Sequence, residues 1–152
     1  MASLDDSSLG RTVTYPTQYD PSLLFPIGRA AARAELGLDP ASPPFQGEDI
    51  WNAYELSWLN ARGKPQVALA RFIIPAASPC IVESKSFKLY LNSFNQTRLS
   101  GPQELRERLL ADVGKAAGCP IEAELILPGQ FSAQCLRELD GESLDGLDVD
   151  VK

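Results

Sequence analysis

Between Glu83 and Lys88 the chain reads Glu-Ser-Lys-Ser-Phe-Lys, residue types that at this spacing suit the capture of an anion. The segment opens a stretch in which Phe87, Tyr90, Leu91 and Phe94 follow the i, i+3, i+4, i+7 spacing of a buried helix face. Glu83, Ser84, Lys85 and Ser86 therefore fall at a helix start, where unpaired backbone N–H groups and the helix dipole favour negative charge. Lys85 and Lys88, one turn apart, are expected to project from the same side. Two ammonium groups, a serine hydroxyl and a helix N-terminus are the parts of a phosphate clamp. The competing reading is that Glu83 and Ser84 merely cap the helix and both lysines are solvated. The residues alone favour neither.

Other chemistries are excluded by what is missing. The chain has no histidine, so it cannot build a Ser-His-Asp or Cys-His catalytic unit by itself. The usual His-containing zinc sites fail for the same reason, and Cys80, Cys119 and Cys135 are too scattered for a four-cysteine site. No metal site is expected. An odd number of cysteines without CxxC spacing points to free thiols in a reducing compartment, hence a cytoplasmic location. The acidic N-terminus, Met1-Ala2-Ser3-Leu4-Asp5-Asp6, lacks the apolar centre of a signal peptide, and no apolar run reaches the ~18 residues of a membrane span. The net charge of −6 is unevenly spread: Ala61 to Arg108 holds eight basic and three acidic residues, whereas Leu136 to Lys152 holds six acids and two bases. A basic centre in an acidic chain suits a small anion better than a nucleic-acid backbone, although ordinary solvated surface also explains it.

The elements that must position these residues can be read from periodicity and breakers. Residues 1–47 form an arm, extended around Pro16, Pro21 and Pro26, with a short Ala-rich helix from Gly28 to Leu36 stopped by Gly37, then a proline-rich loop. Residues 48–152 form the main module. Ile50 to Asn60 is a predicted strand with Tyr54, Leu56 and Trp58 on one face, and Gln66 to Ile74 pairs with it across a turn at Ala61–Lys64. A proline-containing loop leads to the Phe87 helix. Burial of its four large side chains contributes roughly 6–12 kcal/mol before ordering entropy is subtracted, so it should be firmly docked. A second helix starts at Pro102, with Ser100 and Gln103 at capping-box spacing and Leu105, Leu109 and Val113 as its buried stripe; Gly118 stops it. Pro120 to Leu127 alternates as a half-buried strand, and Leu147, Val149 and Val151 suggest one more. The order is that of an α+β domain: an antiparallel sheet with two helices on one face and edges free to pair across a boundary.

Glu83-Ser84-Lys85-Ser86-Phe87-Lys88-Leu89-Tyr90 resembles the signature of the QueF family, the 7-cyano-7-deazaguanine reductases of queuosine biosynthesis, a tRNA-modification pathway. Its continuation from Leu91 to Thr97, the segment Tyr15 to Pro26 (YPTQYDPSLLFP) and the segment Asp49 to Asn60 (DIWNAYELSWLN) resemble the longer, bimodular branch. The resemblance implies a tunnelling fold (T-fold), a ββααββ unit whose sheets assemble into barrels and whose interfaces hold purine-like ligands. It further implies an NADPH-dependent reduction of a nitrile to a primary amine by two hydride transfers. A cysteine thiolate first adds to the nitrile carbon, giving an imine-like thioimide that can accept hydride, while an aspartic acid handles protons.

In that branch the signature lies in the first half. The nucleophilic cysteine, the aspartic acid and a substrate-binding His-Glu pair lie in the second, which this chain does not contain. No catalytic residue is therefore expected among these 152, and the chain alone is expected to be inactive. Cys119-Pro120 superficially resembles the nucleophile's Cys-Pro, but Ile121-Glu122-Ala123-Glu124 does not continue the pattern; Cys119 reads as leading into a strand. The resemblance implies that Val82, Glu83 and Ser84 contact the deazaguanine, that Ser84 and Lys85 contact NADPH, and that Lys88 lies near its phosphates. The partners implied are the small-molecule nitrile and the missing half or a second subunit, in a homodimeric full-length form without direct nucleic-acid or membrane contact. The rival reading is a non-catalytic T-fold module that binds purines or serves assembly. Asn95-Gln96-Thr97 is a formal glycosylation sequon of no consequence in a chain without a secretory signal. Phe87, Tyr90 and Phe94 are expected in the core and not as a stacking platform.

Overall fold

The computed structural model describes residues 16–40, 42–135 and 140–148. Its elements are β1 (Pro26–Gly28), α1 (Arg29–Glu35), β2 (Glu48–Leu59), β3 (Pro65–Pro75), β4 (Cys80–Val82), α2 (Ser84–Asn92), α3 (Pro102–Ala117) and β5 (Glu122–Ile126). Strands β2, β3 and β5 form one antiparallel sheet in that spatial order, so β2 and β5 are its edges. Helices α2 and α3 cover one face, burying Phe87, Tyr90, Leu91, Leu105, Leu109 and Val113 against Leu56, Trp58, Ala68, Ala70, Phe72 and Ile74. Small alanines on β3 let the helices approach, while Phe72 and Phe87 fill the remaining space edge to face, with ring centroids 5.0 Å apart. This is the antiparallel α+β architecture expected of a T-fold unit. The aromatic triplet Phe87, Tyr90 and Phe94 lies in the core as its helical spacing predicts.

The hairpin departs from simple alternation. Ala53 pairs with Ala70 but Leu56 pairs with Ala68, so β2 carries one extra residue, a bulge, between Ala53 and Leu56. Such an insertion reverses the inside-outside phase of everything beyond it. Leu56 and Trp58 consequently point into the core at 1% and 2% exposure, but Tyr54, expected on the same face, stands out at 76%.

The start of α3 also differs in detail. Ser100 pairs with Glu104 instead of Gln103: Glu104 Oε2 accepts the Ser100 N–H and O–H, both at 2.8 Å. These bonds, with Arg108 adding to them, hold the Glu104 carboxyl below its ordinary range. Gln103 instead donates to Glu107 Oε1 at 2.8 Å. At the other end Gly118 adopts φ +77°, closing the helix, and a Cβ there would meet Pro79 Cγ at 3.2 Å. Leu147 is exposed and outside any strand; Val149 and Val151, which complete the predicted final strand, lie outside the described residues.

Beyond the main sheet, β1 and β4 form a two-stranded antiparallel ribbon that periodicity does not reveal. Three-residue strands flanked by prolines are too short to show a period. The ribbon joins the arm to the start of α2.

Candidate functional site

Helix α2 begins on a closed set of hydrogen bonds. Glu83 is its N-cap and is 3% exposed. Its Oε1 accepts the Lys85 N–H at 2.7 Å and its Oε2 the Ser86 N–H at 2.8 Å. Ser86 returns the interaction, its Oγ donating to the Glu83 carbonyl at 2.7 Å. The capping half of the sequence reading is thus realised in the chain itself. Each carboxylate oxygen still has a lone pair beyond these bonds, so capping does not exhaust Glu83 as an acceptor.

The arm straps α2 in place through a stripe of hydroxyls. Tyr19, Asp20 and Phe25 donate their backbone N–H groups to Thr97 Oγ1, Ser93 Oγ and Ser86 Oγ at 3.1, 3.2 and 3.0 Å. Each hydroxyl donates onward to a backbone carbonyl of the same helical stretch, Ser93, Tyr90 and Glu83 respectively, at 2.9, 2.6 and 2.7 Å. Every strap hydroxyl therefore both accepts and donates. The strap is latched by Asp112 of α3, whose Oδ2 accepts the phenol protons of Tyr19 and Tyr90, both at 2.6 Å. Burial, reinforced by this carboxylate, pushes the Tyr19 phenol up to about 12 and lifts Tyr90 further above the ordinary phenol range. Arg108 lies over the Tyr19 ring, 4.7 Å from its centroid. Sequence reasoning missed this latch; Tyr19 and Asp112 are far apart in the chain, and only the fold brings them together.

The residues singled out from the sequence occupy three different settings. Val82 turns its side chain into the core at 2% exposure. It faces Pro26 in a pair without mutual hydrogen bonds, since the Glu83 N–H bonds to the Phe25 carbonyl at 2.9 Å. Its own N–H and carbonyl are therefore directed away from β1, and they are the groups it can offer a ligand. Glu83 lies buried beneath the helix start. Ser84 and Lys88, four residues apart and both exposed, line one cleft of about 230 Å³ between α2 and the edge strand β2. Trp51, Asn52, Tyr54, Glu55, Phe87 and Asn92 complete most of its wall. Lys85 is half-buried and stands outside this lining, so the two lysines do not share the cleft as their spacing suggested.

Cys80 and Cys119 are half-buried and Cys135 is exposed; all three are free thiols. Cys119 does lead into β5, and its burial pushes the thiol above its ordinary range despite Arg29 nearby, the opposite of what an activated nucleophile needs. None of the three lines the cleft. Among the described residues no cluster of potential metal ligands occurs, and no helix is long and apolar enough to cross a membrane.

A three-stranded antiparallel sheet under two helices, with a polar and aromatic cleft where its edge meets the first helix, defines the molecule as a tunnelling-fold unit. The chain belongs to the family described as nitrile reductase, 7-cyano-7-deazaguanine-reductase N-term, whose model matches residues 15–125. Among curated proteins it is similar to the NADPH-dependent 7-cyano-7-deazaguanine reductase of Bordetella avium (strain 197N), at 60% identity over 97% of this chain and 54% of that protein. The protein of the same name from Stenotrophomonas maltophilia (strain R551-3) is 58% identical over 99% of the chain and 54% of its own length. That of Chromobacterium violaceum is 55% identical, with 99% and 54% covered. The chain thus spans about half the length of the curated relatives it matches.

Proposed function

We propose that this chain is the N-terminal module of an NADPH-dependent 7-cyano-7-deazaguanine reductase and supplies cofactor-binding and part of the substrate-binding surface. The observation that carries the proposal is that two residues of the signature, Ser84 and Lys88, line one cleft with exposed aromatic and amide side chains. In such an enzyme bound NADPH supplies hydride to a nitrile that becomes a primary amine. The residues of this chain hold and orient. Glu83, fixed by its own helix start, presents acceptor lone pairs to N–H groups of the deazaguanine, with the backbone of Val82 and the hydroxyl of Ser84 beside it. Lys85 and Lys88 supply positive charge for the cofactor's phosphates.

The proton-handling and nucleophilic residues belong, in this proposal, to the half of the relatives that this chain does not span. The raised thiol of Cys119 and the absence of histidine support that division. Residues 48–152 form the module and residues 1–47 its strapping arm, in a cytoplasmic enzyme whose two halves, or two subunits, complete the site. Calorimetric titration of the full-length protein with NADPH and with the nitrile tests this. Binding of both, weakened by Lys88→Ala and Glu83→Gln respectively, is expected; wild-type protein that binds neither overturns it.

A further inference from the structure

The bulge in β2 matters beyond the hairpin. Bulges beside functional sites re-aim a side chain, and here the extra residue turns Tyr54 out of the core to 76% exposure, where it lines the same cleft as Lys88. A large exposed aromatic ring beside an exposed ammonium offers a stacking surface next to a point charge for phosphate. Asn52 and Asn92 add amide donors and acceptors, and Glu55 is the one carboxylate in the lining, able to accept from an exocyclic amine.

Size and direction narrow the ligand. Sites that enclose a whole drug-sized molecule run from about 300 to 1,000 Å³, so a cleft of about 230 Å³ holds one end of a dinucleotide and not all of it. From Ser84 the cleft follows α2 through Lys88 to Asn92, a rise of roughly 12 Å, leading away from Glu83 and Val82. The nicotinamide must stand beside the nitrile at Glu83, so the end lying along α2 is the other one. We propose that the cleft between β2 and α2 holds the adenosine 2′-phosphate end of NADPH, with the adenine stacked on Tyr54 and the 2′-phosphate on Lys88. This rests on the reductase reading above and assigns to Tyr54 and Lys88 separate parts of the cofactor.

The test uses the full-length enzyme, with NADPH and NADH as alternative hydride donors and with 2′,5′-ADP and nicotinamide mononucleotide as fragment inhibitors. Lys88→Ala is expected to raise KM for NADPH roughly tenfold and leave KM for NADH nearly unchanged, because only NADPH carries the 2′-phosphate. Tyr54→Ala is expected to raise both KM values by a similar factor of about ten, with kcat retained, and Tyr54→Phe to behave like wild type. In wild type 2′,5′-ADP should compete with NADPH, and both alanine variants should weaken it. If Tyr54→Ala leaves both KM values unchanged while Lys88→Ala acts, the adenine assignment is overturned. If the variants weaken nicotinamide mononucleotide and spare 2′,5′-ADP, the cleft holds the opposite end and the proposal fails. Wild-type enzyme that oxidises no NADPH with the nitrile overturns the reductase reading, and the proposal with it.

Discussion

Glu83 and Ser86 cap one another: the carboxylate of the first accepts the backbone N–H of the second at 2.8 Å, and the hydroxyl of the second donates to the carbonyl of the first at 2.7 Å. The same hydroxyl accepts the Phe25 N–H at 3.0 Å, so arm, helix start and proposed substrate acceptor meet at one serine. Ser86→Ala should therefore lower the melting temperature and also weaken binding of the nitrile by the full-length protein, because Glu83 loses its brace. Ser93→Ala breaks the strap one helical stretch away, at Asp20, and should lower stability comparably without touching affinity. Melting curves and calorimetric titrations of the two variants separate these effects; equal loss of affinity in both would assign it to general loosening.

Replacement of Glu83 by glutamine puts an NH₂ group where one of two backbone N–H groups now finds an acceptor. A buried donor left unpaired costs on the order of 1–3 kcal/mol. For a domain of this size that is a fall in melting temperature of roughly 2–4 °C per kcal/mol. If Glu83 also receives N–H groups of the deazaguanine, affinity for the nitrile should fall in parallel by about ten- to a hundredfold. A lowered melting temperature beside unchanged affinity would leave Glu83 a helix cap and nothing more.

The Asp112 latch gives stability a defined alkaline limit. Tyr19 and Tyr90 are both harder to ionise in the folded chain than in the unfolded one, burial being the first cause and the Asp112 carboxylate the second. Their contribution is fully present below the ordinary phenol value of about 10 and is lost as pH rises through the folded value, about 12 for Tyr19. Unfolding free energy measured against pH should therefore be insensitive to these groups up to about pH 10 and decline above it. Tyr90→Phe, which removes one of the two donors to Asp112, should cost about 0.5–1.5 kcal/mol at neutral pH and flatten that decline. An unchanged alkaline slope in this variant would contradict the latch.

Thiol reactivity checks the placement of the nucleophile outside this chain. Exposed Cys135 should be alkylated first by iodoacetamide near neutral pH, with Cys119 markedly slower because burial raises its pKa. Peptide mapping after timed alkylation reads the order. Preferential labelling of Cys119 would return it to consideration as a reactive group.

Much of this architecture is legible in the sequence where a period is long enough to count. The buried stripes of α2 and α3 and the hairpin follow from apolar spacing, and the signature from Glu83 to Lys88 marks the helix start. What escapes is whatever depends on pairing between segments. The extra residue at Tyr54 is invisible because alternation from Tyr54 to Trp58 looks unbroken; only the register against Ala68 and Ala70 exposes the bulge. The latch between Tyr19 and Asp112 spans 93 residues of chain and has no local signal. Lys85 and Lys88 look equivalent by spacing, yet the position of β2 puts Lys88 alone of the two into the cleft.

The division of labour between this chain and the second half of its relatives is tested most directly by amine formation. The chain alone, and the chain joined to the second half of one of its relatives, are each incubated with NADPH and 7-cyano-7-deazaguanine, and the 7-aminomethyl product is quantified by mass spectrometry. The joined protein should form the amine with two equivalents of NADPH consumed, and the chain alone should form none. Amine produced by the chain alone, or none produced by the joined and folded protein, would contradict the proposed role.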